Sequence, residues 1–108
     1  MHDLDRLAAI FSALASPTRL RIVALLADAR DQGRAAASAP GVLEIAEGAE
    51  ISRFSASFHL EQLRDAGIVR KVRVGTRWAH SLTEEATDAV DEWLFDVADD
   101  HTLSAIPS

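Results

Sequence analysis

SRFSASFHLEQLRDAGIVRKVRVGTRWAHSL, residues 52–82, changes its hydrophobic period once, and that change decides the fold. Ser52 is a good N-cap, and Ala56, Leu60 and Leu63 fall on one side of the helix that follows. Gly67 ends that helix, and Ile68 supplies the apolar contact that often follows a C-terminal glycine. Its other side carries Arg53, Phe54, Ser57, Phe58 and Glu61, so two aromatic rings stand where periodicity gives no reason for burial. From Val69 the period is two: Val69, Lys71 and Arg73 alternate with Arg70, Val72 and Val74, Gly75-Thr76 turns the chain, and Arg77 to Leu82 returns. The stretch is a capped helix followed by a basic hairpin.

Outward from it, the helical pattern dominates. Leu4, Leu7, Ala8, Phe11 and Leu14 have amphipathic helix spacing, and Ser16-Pro17 reads as N-cap and first position of a second helix reaching Ala27. Residues 28–41, DARDQGRAAASAPG, have no continuous apolar stripe and read as a flexible connection, with room for the preceding helix to run on by a turn. Val42 to Glu47 is a short helix bounded by Gly41 and Gly48. Thr83, with Glu84 and Glu85 in the first turn, opens a last helix whose apolar residues are Ala86, Ala89, Val90, Trp93, Leu94 and Val97, and after His101 the pattern frays. The expected fold is a single winged helix-turn-helix domain over 1–108, mainly α with a β-hairpin wing, in the order α-α-α-α-β-β-α. Within it, 42–67 is the helix-turn-helix, 68–82 the wing, and 1–15 and 83–100 the dimerisation helices.

The chain has 108 residues, 48% hydrophobic and 26% charged, with no cysteine and a net charge of −6. No disulfide framework or thiolate metal site can be built. No apolar run approaches the roughly 18 residues of a membrane span, and Met1-His2-Asp3-Leu4-Asp5 lacks a basic leader region, so a cytoplasmic protein is expected. A net negative charge argues against nucleic acid only until it is resolved along the chain. Residues 1–51 sum to −2, and 83–108 hold eight acids and no Lys or Arg. Residues 52–82 hold six cations against Glu61 and Asp65, a balance of +4. That basic middle is either a solvated face or an electrostatic footprint for a polyanion.

A short helix, a turn and a second helix with polar and basic exposed residues is the arrangement that lays its second helix in the major groove of DNA. The hairpin after it can reach phosphates or the minor groove of the same duplex. Three stretches resemble the ArsR/SmtB-type winged-helix repressors of bacteria: Leu14 to Ile22, Ser55 to Val69, and the wing Arg70 to Leu82. The resemblance spans nearly the whole chain in order and is weakest over 28–41, which is longer than the family's usual connection. It implies a homodimer, formed mainly by the first and last helices, that binds an inverted-repeat operator on double-stranded DNA and leaves it when an effector binds.

The positions matching the family's recognition helix are Arg53, Phe54, Ser55, Ser57, Phe58 and His59. Arg53 can fork onto guanine O6 and N7, the serine hydroxyls can meet phosphate or a base edge, and a Phe edge can pack on a thymine methyl. The family more often has polar residues at Phe54 and Phe58, so these rings either face DNA or pack into the core or the wing. His59 is equally open to packing or contact. Arg70, Lys71, Arg73 and Arg77 are read as phosphate contacts, with Arg77 beside the turn the foremost of them. Leu4, Leu7, Phe11, Val90, Trp93, Leu94 and Val97 exceed what a 108-residue core obviously needs and are read as the dimer interface, the alternative being that they finish the monomer core.

Family members that sense metal do so through cysteines on the short helix, where this chain has Val42 to Glu47, or through His and carboxylates on the last helix, where it has Glu84-Glu85-Ala86 and Val97-Ala98-Asp99-Asp100. Thiolates and both histidines are missing. His2, Asp99, Asp100 and His101 are weak candidates for an N/O site for nickel or zinc, against the reading of ordinary surface residues. An enzyme has no support: there is no Cys, no Tyr and no Gly-rich phosphate loop. A winged helix used only for protein contacts is the alternative that Phe54 and Phe58 favour and the basic wing opposes.

Overall fold

The structure, a computed structural model, describes residues 2–105, with side chains as far as Ala98. Five helices and one antiparallel hairpin follow in the expected order: α1 (Leu4–Leu14), α2 (Pro17–Asp31), α3 (Val42–Ala49), α4 (Arg53–Asp65), β1 (Val69–Val74), β2 (Arg77–Leu82) and α5 (Glu84–Ala105). Ser16 caps α2 by accepting from the Arg19 amide at 3.3 Å, Pro17 occupies the first turn, and α2 leaves α1 at 96°. Ser52 caps α4 in the same way through the Ser55 amide at 3.0 Å. Glu50, at φ +57°, turns the chain between α3 and α4.

α4 closes as a Schellman motif. The Gly67 amide donates to Arg64 O and the Ile68 amide to Leu63 O, both at 2.9 Å, and Gly67 supplies the left-handed φ of +78° that this requires. Ile68 is then buried, and the chain enters β1 directly. Gly75, at φ +62°, forms the two-residue turn with Thr76 and fixes the register Val74↔Arg77, Arg73↔Trp78 and Lys71↔His80. One core lies beneath these elements, with Ile10 of α1, Ile22 and Leu26 of α2, Ile45 of α3, and Leu60 and Leu63 of α4 at its centre.

Three expectations meet particulars of the structure. Over 28–41, α2 runs on to Asp31 by the further turn left open for it, a 3-10 turn covers Ala36–Ser38, and Ala39 and Pro40 are buried. The anchors of this connection lie in α3 and β2. Arg34 forks onto Glu44 at 2.5 and 3.0 Å, which holds the Glu44 carboxyl below its ordinary pKa, and the His80 amide donates to Pro40 O at 2.8 Å. Leu7, read as a dimer residue, is 4% exposed within the single chain, and Val90 packs against the core, because α1 lies across α2, α4 and α5. Finally, α5 runs to Ala105, past the limit of 100 expected for the last dimerisation helix, as nothing before Pro107 breaks it.

Among the described residues no single helix is long and apolar enough to cross a membrane. The molecule is elongated, 58 × 26 × 23 Å. α5 packs on α1 and, through Ala86, Ala89 and Val90, on the core, leaving Leu94, Phe95 and Val97 exposed.

Candidate nucleic-acid interface

α4, from Arg53 to Arg64, and the wing border an open groove of about 660 Å³ that the start of α3 also lines. Arg53 and Ser57 line it from α4, and Lys71 and Arg77 from the wing. Four of the residues assigned to DNA from sequence thus share one surface. Ser57 lies one helical turn from Arg53, on the same side of α4.

The wing's cations are organised by a residue that the sequence reading passed over. Trp78 sits opposite Arg73 in the register, with Lys71 two residues along on the same face. The Lys71 Nζ lies 4.6 Å and the Arg73 Cζ 5.5 Å from the centre of the Trp78 ring. Both charges rest on the ring's negative face while their heads remain exposed. The turn Gly75-Thr76 implied this pairing, so the hairpin register was the signal for it. Arg73 also donates from Nε to Gly75 O at 3.1 Å, which pins the wing tip. Arg70 is exposed on the opposite face.

Arg77, expected as the foremost phosphate contact, is exposed at the groove and also makes contacts within the chain. Its guanidinium donates to Ala39 O at 2.5 Å and Ala37 O at 3.3 Å, fastening the wing to the 3-10 turn. Those carbonyls belong to a segment with few internal partners, and a forked donor with five N–H groups satisfies two of them at once. Arg77→Ala is therefore expected to lower stability by about 1–2 kcal/mol and to speed tryptic cutting after Arg30 and Arg34, both readable before any DNA is added.

His59 also turns inward. Its Nδ1 lies 3.1 Å from Arg19 Nη1, and because a guanidinium can only donate, Nδ1 accepts and the ring is neutral with its proton on Nε2. Desolvation first, and the Arg19 charge second, hold the His59 pKa below its ordinary value. His80 is buried beneath the groove. Its Nδ1 donates to Pro40 O at 3.1 Å, and burial first, with the charges of Arg64, Lys71 and Arg77 behind it, lowers its pKa against the opposing effect of that hydrogen bond.

The two aromatic rings of α4 are settled as exposed: Phe54 is 89% and Phe58 56% accessible. Neither enters the core or the wing. Ser55 is half-buried beside its cap.

At the other side of the molecule, Phe11 and Trp93 pack edge to face with centroids 5.5 Å apart, joining α1 to α5. Leu4, Phe11, Leu94 and Val97 are exposed around them, together with Phe95, which lies outside the apolar set read for the last helix. His2 is bound to Asp96 Oδ2 through Nε2 at 2.6 Å. The side chains of Asp99, Asp100 and His101 lie outside the described residues. Among the described residues no three His, Cys, Asp or Glu side chains come together to hold a metal ion, and the donor chemistry of α3, without cysteine, does not fit a thiolate sensor.

With this geometry in hand, residues 14–72 match the helix-turn-helix domain family. The chain is also similar to the homodimeric winged helix-turn-helix DNA-binding domain of Mb0332 from Mycobacterium bovis, a possible ArsR-family transcriptional regulator, at 30% identity over 92% of this chain and 83% of that one, with a TM-score of 0.67. The chain belongs to the ArsR-type winged helix-turn-helix family. It further resembles an ArsR-like transcriptional regulator from Rhodococcus sp. RHA1, at 26% identity over 95% of this chain and 91% of that one, with a TM-score of 0.72. Among curated proteins no sequence matches it. The ArsR-type family is one of transcriptional regulators, and its fold carries a helix-turn-helix rather than a catalytic centre.

Proposed function

We propose that this ArsR-type chain is a homodimeric transcriptional repressor that binds an inverted-repeat operator on double-stranded DNA through α4 and the wing. The observation that carries the reading is the shared groove. Arg53 and Ser57 of the helix-turn-helix and Lys71 of the wing line one surface within the +4 segment of an otherwise acidic chain. A duplex seated there places the start of α4 against base edges, where Arg53 forks onto guanine O6 and N7. Arg70, Lys71 and Arg73 then meet phosphates, with Trp78 as their platform. Ser55 and Ser57 are left for phosphate or a base edge, and His59 serves as a brace for the helix. The eight acids of residues 83–108 keep the duplex off α5.

Two such surfaces are presented by a dimer built on Leu4, Phe11, Trp93, Leu94 and Val97, extended by Phe95. The similarity to a homodimeric domain supports that assembly. The effector is read as one that does not need a thiolate site.

Fluorescence anisotropy with a labelled duplex from the chain's own upstream region, at salt concentrations from 50 to 300 mM, tests the DNA reading. Four cations in each half-site predict that log K falls with log salt at a slope of about −5 to −7. Arg70→Ala is expected to weaken all sequences alike, and Arg53→Ala to relax sequence preference as well. Binding that is absent at low salt, or indifferent to salt, overturns the proposal.

A further inference from the structure

We infer that Phe54 makes this chain a reader of thymine methyl groups, so that its operator carries a T·A pair beneath the start of α4 in each half-site. The inference rests on the proposed role of α4 in the major groove and adds to it the base that is read. Phe54 is the second residue of α4, in the turn that a recognition helix presents to base edges, and it is the most exposed large apolar side chain among the described residues at 89%. No element of the fold covers it. α4 packs on α1, α2, α3 and β1 through Ala56, Leu60 and Leu63, and Phe54 lies outside that buried face.

Phe58, one turn later on the same side, is braced edge to face against His59 at 5.5 Å, and Arg19 holds His59 in turn. The two rings therefore form a short aromatic ridge with Arg53 beside it. Arg53 and Glu61 flank this ridge, and the segment around it, residues 52–82, carries a balance of +4 that suits a polyanion.

The major groove offers such a ridge one kind of apolar surface. Adenine, guanine and cytosine present donors and acceptors there, which a phenyl ring would desolvate without replacing, and thymine alone adds the C5 methyl group. A ring pressed over that methyl removes apolar surface on both sides from water. Burying one methyl group is worth roughly a fourfold change in affinity, and two half-sites therefore roughly fifteenfold.

The test begins with selection of bound duplexes from a random-sequence library by the full-length chain. The enriched duplex is then resynthesised with deoxyuridine in place of each thymine pair in turn, which removes the methyl group and leaves base pairing intact. One symmetric pair of positions is expected to lower the affinity of the unaltered chain by roughly fifteenfold, and of Phe54→Ala by less than about twofold. The exposed position of Phe54 lets the variant fold, which circular dichroism checks. An enriched duplex bound equally well with deoxyuridine at every position overturns the inference while leaving Arg53 and the wing in place, and so does a deoxyuridine penalty that persists in Phe54→Ala. No enriched sequence at all overturns the DNA reading itself, and the inference with it.

Discussion

Arg19→Ala is expected to cost about 2–3 kcal/mol of folding free energy, with the denaturant slope unchanged. Arg19 lies in the first turn of α2, where Ser16 caps its amide. Its Nε donates to Ala13 O at 2.5 Å, one of the carbonyls that the end of α1 leaves without a helical partner, and its Nη1 donates to His59 Nδ1 at 3.1 Å. One side chain thus fastens the end of α1, the start of α2 and the middle of α4. Removing it orphans a carbonyl and a ring nitrogen in a partly buried setting, which costs more than the hydrogen bonds themselves contribute. Lysine keeps the charge but has a single nitrogen that cannot span both acceptors, so Arg19→Lys should recover less than half of the loss.

The same contact gives stability a pH dependence of fixed sign. The His59 and His80 pKa values are both lowered in the folded chain, so protons bind the unfolded chain more readily. Stability is therefore complete above the ordinary histidine value of 6.5 and is lost as pH falls below it towards the folded values. For His59 the added proton would sit on Nδ1, facing the Arg19 guanidinium. The carboxylate paired with Arg34 has a lowered pKa as well, but it titrates below its ordinary 4.5. Denaturant midpoints between pH 7.5 and 5 thus isolate the histidines. His59→Gln, which keeps an acceptor without a titrating ring, should flatten part of that slope. An unchanged slope would remove His59 from the account.

Local chemistry explains why the helix-turn-helix and wing were legible in the sequence. The Ser52 cap, the Schellman end at Gly67 and the two-residue turn at Gly75 each act within a few residues, and the switch from period 3.6 to period 2 separates α4 from β1. The exposed ring of Phe54 was legible as an unplaced apolar residue. By contrast, beyond the Arg34–Glu44 pair, the contacts that hold 28–41 to the wing join residues about 40 positions apart, as in Arg77 to Ala37 and His80 to Pro40, and are made to backbone carbonyls, which every residue has. No residue pattern announces such a contact. That is why an Ala-rich segment read as a flexible connection, and why the bonds of Arg77 to Ala37 and Ala39 were not legible. Leu7 reads as interface yet is buried in the single chain for a related reason: periodicity says which side of a helix is apolar, but the neighbour it meets depends on the 96° turn between α1 and α2.

Leu94→Glu should abolish the dimer at micromolar concentration while leaving the protomer folded. Leu94 is 49% exposed in the single chain, so its own core loses little. Around it, Leu4, Phe95 and Val97 are also exposed, and the Phe11 and Trp93 pair holds α1 and α5 together as one face. An apolar stripe on a helix that projects from an elongated body has no partner within its own chain. In a two-fold interface one substitution enters twice, so two carboxylates would be buried against residues 83–108, which carry eight acids and no cation to pair with them. At about 2 kcal/mol or more for each, the dissociation constant should rise roughly a thousandfold. Sedimentation velocity reads the change directly, and circular dichroism verifies the fold. Operator affinity should fall with it, because each protomer then holds one half-site and loses the gain of binding both together. Phe54→Ala, on α4, should leave the dimer intact. A Leu94→Glu chain that sediments as a dimer would move the interface off α5 and take with it the reading of this stripe.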